Sequence, residues 1–170
     1  MQTVTLITGL PGSGKSTYLS EHEAELHHAL VRDDYHERAP KHTHEFENSV
    51  YYDEVIEALT FGKDVVLTDI VWCRPIARRA LIATLQEDLE RLGRTISTEL
   101  WCFENDPDAC RQNVLRRGRP GLAEIELEYI EAFSKVYVIP ETAKVLPVYR
   151  EGQEGDPSHL SPGAPSHRIA

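Results

Sequence analysis

Residues 9–17 read GLPGSGKST, a string with three glycines, one proline, and a lysine followed at once by two hydroxyl side chains. It satisfies G-x-x-x-x-G-K-[ST] from Gly9 to Ser16 and directly follows the apolar run VTLIT. Gly9, Gly12 and Gly14 let backbone N–H groups turn inward around a polyphosphate, and a following helix adds the positive end of its dipole. Lys15 then reaches the β and γ phosphates, Ser16 ligates Mg²⁺, and Pro11, Ser13 and Thr17 complete the turn. The chemistry implied is binding of a nucleoside triphosphate, ATP or a relative, together with Mg²⁺.

Three further stretches carry reactive groups. RDDY, residues 32–35, offers Asp33 as a carboxylate that can take a proton from an acceptor hydroxyl, with Arg32 and Tyr35 beside it. Asp69 closes VVLTD, where it can accept a hydrogen bond from Ser16, hold a Mg²⁺ water or orient a substrate; the plainer role for such an Asp is a helix cap. LRRGRP, residues 115–120, puts Arg116, Arg117 and Arg119 around a glycine break, as a closing lid over transferring phosphate needs. A solvated helix end rich in arginine is the simpler alternative. Trp72 can stack on an acceptor base, as can Tyr35, although packing and loop anchoring explain such aromatics equally well.

The elements that must position these groups alternate. TVTLIT reads as a strand followed by a helix over about 14–26. HALVRDD reads as a second strand, and apolar spacing over about 44–61 predicts a helix. KDVVLTDIV is a continuous apolar run, as expected of a parallel strand covered on both faces, and a long helix follows up to Gly93. RTISTELWCF is a further strand, Asp106 and Pro107 open a helix as N-cap and first residue, EIELEYIEAFSKVYV is amphipathic, and VLPVY is a short last strand. The fold class expected is α/β, a P-loop NTPase with a mostly parallel sheet of four or five strands flanked by helices and an Arg-rich helical lid. Ligands sit at the carboxyl ends of such strands. The domain spans 1–150, and 151–170, rich in Gly, Pro, Ser and acidic residues, reads as a tail.

Composition narrows the function. The 170-residue chain carries a formal net charge of -10, which disfavours broad coating of DNA or RNA while leaving room for a local basic cleft. The apolar runs are too short to span a bilayer and no secretory signal is visible, so cytoplasmic residence is the expectation. The 3 cysteines lack C-x-x-C spacing and read as reduced, buried thiols. Six histidines between His22 and His44 include an H-x-H pair, without the Cys or carboxylate set that completes a metal site. A motor ATPase would place Glu after Asp69, where Ile70 stands, and a regulatory GTPase would carry N-K-x-D, which is absent.

GLPGSGKST, then RDDY, VVLTD with RPIARR, RRG and LPVY occur in an order that resembles the kinase domain of phage-type polynucleotide 5′-hydroxyl kinases, over most of residues 3–149. The resemblance implies Lys15 and Ser16 at the donor phosphates and Mg²⁺, Asp33 as general base, Arg117 as lid arginine, and Asp69 at the acceptor or metal. The acceptor side departs from the family: His36 stands where the family has Arg, with Arg38 two residues on, Val71 replaces an Asn, and Asn113 replaces a second lid arginine. The phosphatase string D-x-D-G-T of bifunctional members is absent. The expected function is ATP-dependent transfer of the γ-phosphate to a hydroxyl, foremost the 5′ end of a polynucleotide. A modified DNA base, a nucleoside or a small alcohol is the rival acceptor. A regulatory ATP-binding module with slow hydrolysis is the alternative from another class.

Overall fold

The structure, a computed structural model, describes residues 1–35 and 51–150. His36, Arg38, the first part of the helix expected over 44–61, and the tail 151–170 lie outside the described residues. The strands are β1 (Gln2–Thr8), β2 (Leu30–Arg32), β3 (Val65–Thr68), β4 (Ile96–Phe103) and β5 (Lys144–Leu146). The helices are α1 (Lys15–Glu21), α2 (Glu23–Leu26), α3 (Tyr52–Thr60), α4 (Pro75–Arg91), α5 (Pro107–Arg117) and α6 (Ala123–Ser134). The strands form one five-stranded sheet in the order β2-β3-β1-β4-β5, with every pairing parallel. Among the described residues no helix is long and apolar enough to cross a membrane.

β1 is the central strand, and its residues from Val4 to Thr8 are all buried. Strand alternation sends Val4 and Leu6 into a cluster with Val55 and Leu59 of α3 and Leu81, Leu85 and Leu89 of α4. Ile7 points to the other face, joining Val66, Phe103 and Leu146 under Tyr18, Leu19 and Leu26. A third cluster, with Leu10, Cys110, Val114, Ile130 and Tyr137, lies beneath α5 and α6. The loop that leaves β1 is therefore anchored on both sides by core.

Register decides what meets at the carboxyl ends. Arg32 pairs with Leu67, so the next residue along, Asp33, falls beside Thr68. Asp106 caps α5, its carboxylate accepting the Ala109 N–H at 3.0 Å, with Pro107 as the first helical residue. α5 ends at Gly118 in the left-handed conformation, the break expected between Arg117 and Arg119.

The helix expected over 14–26 is instead two pieces joined at His22. Nothing in YLSEHEAEL breaks a helix by propensity, but the His22 ring nitrogen lies 2.9 Å from the Tyr18 carbonyl, competing with the backbone ladder. The ring also stacks on Tyr18, with centroids 4.0 Å apart.

Arg78 is buried in the first turns of α4, and its guanidinium donates to the carbonyls of Trp72 at 2.9 Å and Val138 at 3.0 Å. It ties the connection after β3 to the segment after α6. Arg78→Met keeps the stem and strands both carbonyls, so a loss of about 3 kcal/mol in urea unfolding is expected. An unchanged midpoint would show that these bonds contribute nothing net.

Candidate active site

The Gly-rich turn is shaped from outside. A Cβ on Gly12 would lie 2.5 Å from the Cys110 carbonyl oxygen, and one on Gly14 would lie 2.6 Å from Tyr149 Cβ. Both residues have positive φ, 77° and 108°, so side chains are excluded by conformation and by space together. The Tyr149 N–H donates to the Ser13 carbonyl at 2.9 Å.

Lys15 is buried, and its Nζ donates to the carbonyls of Gly9 at 2.7 Å and Leu10 at 3.2 Å. An ammonium has three donors, so one N–H is left for a ligand. Ser13 Oγ is buried and has no hydrogen-bond partner among the described residues. An ammonium with one N–H to spare and a buried hydroxyl with no partner among the described residues make a donor set suited to phosphate oxygens, and the Ser16 hydroxyl is a hard oxygen ligand for Mg²⁺.

Asp33 sits just beyond β2 and joins two strand ends to the loop. Its Oδ2 accepts the Ser16 hydroxyl at 2.6 Å, and its Oδ1 accepts the Thr68 hydroxyl and, at 3.1 Å, the Asp34 N–H. The Asp34 N–H also lies 3.1 Å from Thr68 Oγ1, and Asp34 has φ of 48°, a conformation Asp tolerates better than most residues. The carboxylate that meets Ser16 is thus Asp33 rather than Asp69. Asp69 lies buried at the end of β3, where its Oδ1 accepts the Val71 N–H at 2.8 Å just before the short 3-10 turn Val71–Cys73.

Over the loop lies a cleft of about 350 Å³ lined by Gly12, Gly14, Thr17, Asn113, Arg116, Arg117 and Tyr149. Arg117 is fixed by an ion pair to Glu126 of α6 at 2.5 Å, which ties the end of α5 to its neighbour. A second cleft of about 300 Å³ shares Asn113 and Arg116 and extends to Asp106, Gln112 and Arg150. Asp106 Oδ2 accepts from Arg150 at 2.7 Å. The Ala109 N–H, and after it Arg150, hold the Asp106 carboxyl below its ordinary range.

The aromatics expected at the acceptor are elsewhere. Tyr35 and Trp72 are fully buried in the cluster with α3 and α4, their rings 5.8 Å apart, so neither presents a face to a base. Their packing role wins because both follow strand ends whose side chains turn back onto the core. Arg32 is drawn to α3, where Glu54 holds it at 2.5 Å and Tyr51 lies under it at 5.2 Å. It does not converge with Asp33. Cys73, Cys102 and Cys110 are free and buried, as expected. Burial pushes the Cys73 thiol up to about 11 and Cys110 up to about 12, leaving them unreactive.

Asn113 was legible only as a missing arginine. In the structure its Nδ2 donates to the carbonyls of Gly12 at 2.9 Å and Tyr149 at 2.7 Å, so α5 grips the phosphate loop and the strap after β5 together. Asn113→Ala removes both bonds. Their loss is expected to raise the KM for ATP about tenfold with turnover nearly kept, read from steady-state kinetics at saturating acceptor. Unchanged kinetics would mean that the loop holds its shape without the amide.

A family model described as an AAA domain (AAA_33) matches residues 4–140. The chain belongs to that family. The family and the parallel sheet agree on a P-loop kinase-like fold. Among solved structures, a fungal RNA kinase is similar at 14% identity and a TM-score of 0.60, covering 92% of this chain and 79% of that one. A gluconokinase from Sinorhizobium meliloti 1021 is similar at 13% identity and a TM-score of 0.53, covering 88% of this chain and 83% of that one. No curated protein sequence matches. Identities this low speak for a shared fold alone.

Proposed function

We propose that the protein is an ATP-dependent kinase that transfers the γ-phosphate to a hydroxyl, foremost the 5′-hydroxyl of a polynucleotide. The observation that carries this reading is the hydrogen bond from Ser16 of the phosphate loop to Asp33, a carboxylate exposed at the end of β2. A base touching the phosphate loop is within reach of an acceptor standing before the terminal phosphorus.

In this reading Asp33 takes the proton of the acceptor hydroxyl. The acceptor oxygen forms a bond to the γ-phosphorus, the bond from that phosphorus to the β–γ bridging oxygen breaks, and ADP leaves with the electron pair. Lys15 and the backbone amides of the loop hold the donor phosphates, and Arg117 covers charge on the transferring group. Ser16 and, through water, Asp69 would hold Mg²⁺, which supplies further neutralisation of the polyphosphate. The neighbouring cleft along Asn113, Arg116 and Arg150 takes the rest of the nucleotide.

The fungal RNA kinase and the gluconokinase are named for phosphate transfer to very different alcohols, so the acceptor is the point to test. Transfer of labelled γ-phosphate is to be measured on a 5′-hydroxyl oligonucleotide, on DNA carrying hydroxymethylpyrimidine, on nucleosides and on a sugar acid. Acceptor-dependent ADP release with oligonucleotide is the expected result. ATP binding without any acceptor-dependent release would instead favour a regulatory module.

A further inference from the structure

The geometry points to an acceptor wall on α6: an apolar stripe of Ile125, Tyr129 and Phe133, with Arg74 at its foot, on which the terminal bases of a nucleic acid strand stack. This inference rests on the kinase reading above and names the substrate class of that site.

α6 buries one seam, in which Ile130 is fully enclosed and Ala123 and Leu127 pack against the same cluster. Ile125 and Tyr129, four residues apart, share an exposed face beside that seam, and Phe133, one turn on, borders it while packing partly against the core cluster. Ile125 is 45% exposed and Tyr129 47% exposed, an apolar surface that a soluble domain normally avoids presenting in one row.

Two arginines fix which way this stripe looks. Glu126, between the seam and the stripe, holds Arg117, which lines the cleft over the phosphate loop. At the other end the Arg74 guanidinium lies 4.7 Å from the Phe133 ring centroid. Arg74 is exposed and stands five residues beyond Asp69, at the carboxyl-terminal side of the sheet. The stripe therefore runs from the lid to the turn after β3, the strand paired with β2, at whose end Asp33 stands. Of the other glutamates of α6, Glu131 lies on the opposite flank, where Arg111 and Lys135 hold it, while Glu124 and Glu128 are exposed.

The occupant follows from the chemistry of the row. Tyr129 and Phe133 are packed edge to face, with centroids 6.1 Å apart, so Tyr129 keeps a ring open to the outside. An exposed aromatic next to a cation suits a base with its phosphate; a small polyhydroxylated acid would want polar donors instead. Arg74 has no carboxylate partner among the described residues. It is thus available for a backbone phosphate, which also reconciles strand binding with the acidity of the whole chain.

The test uses the full chain and a labelled 5′-hydroxyl oligonucleotide of about six nucleotides, followed by fluorescence anisotropy and by phosphate transfer. Tyr129→Ala is expected to weaken oligonucleotide binding and raise its KM about tenfold, with kcat and the KM for ATP held; Tyr129→Phe, which keeps the ring, is expected to match the wild type. Arg74→Gln is expected to weaken binding similarly and to flatten its salt dependence. Unchanged oligonucleotide affinity in both Tyr129→Ala and Arg74→Gln would overturn the wall. So would a wild-type protein that phosphorylates a small alcohol but does not bind the oligonucleotide, and that result leaves the kinase reading standing. Ring-dependent oligonucleotide binding without transfer to any acceptor would do the reverse, supporting the wall and refuting the kinase.

Discussion

Replacing Asp33 by asparagine is expected to lower turnover about a thousandfold while ATP binding stays close to wild type. The asymmetry comes from how the carboxylate is held. Its Oδ1 accepts from Thr68 and from the Asp34 N–H, and an asparagine oxygen can keep both. Its Oδ2 accepts from Ser16, and the amide nitrogen that replaces it can donate to the same hydroxyl, which has lone pairs to spare. The strand end and the phosphate loop thus remain joined. What disappears is the capacity to take a proton from an acceptor alcohol. Calorimetric ATP binding together with single-turnover transfer separates the two effects. A variant with turnover within about threefold of the wild type would remove Asp33 from the role of base.

The same carboxylate illustrates what a linear reading can see. RDDY after a short apolar run marks a strand end, and the phosphate loop marks another, because both signals are local: turn chemistry and the loss of apolar periodicity. That the two ends meet is a matter of strand order, and the pairing of Arg32 with Leu67 that brings Asp33 to Thr68 is written nowhere in either segment. Asn113 lies 101 residues from Gly12, the carbonyl it holds, and no spacing rule reaches that far. Tyr35 and Trp72 show the opposite error. An aromatic beside a polar motif looks like a ligand contact, yet a large ring next to a buried strand gains more by entering the core. Asp69 falls between these cases. A capping role and a site role both place an Asp after a strand; here Asp69 accepts the Val71 N–H, a local bond within the turn, while the N-cap position belongs to Ile70.

The second large effect is at Lys15, where activity and stability are expected to part. A buried ammonium is costly to desolvate, and here it is compensated by two loop carbonyls, of Gly9 and Leu10, with no carboxylate beside it among the described residues. Lys15→Met keeps the length and apolar stem and removes the charge. The carbonyls are buried and lose their donor, but the substitution also removes the cost of holding a desolvated ammonium between them, so thermal stability is expected to change little. Transfer is expected to collapse, with kcat/KM falling by about a thousandfold, because in the proposed mechanism Lys15 is the cation that neutralises the donor phosphates. A purely structural lysine would give the reverse pattern, a lowered melting temperature with catalysis intact in the folded fraction. Thermal unfolding and initial rates measured on one preparation therefore decide between the two. The smallness of the stability change is as informative as the size of the rate loss, since a charge that adds little to folding is retained for what it binds.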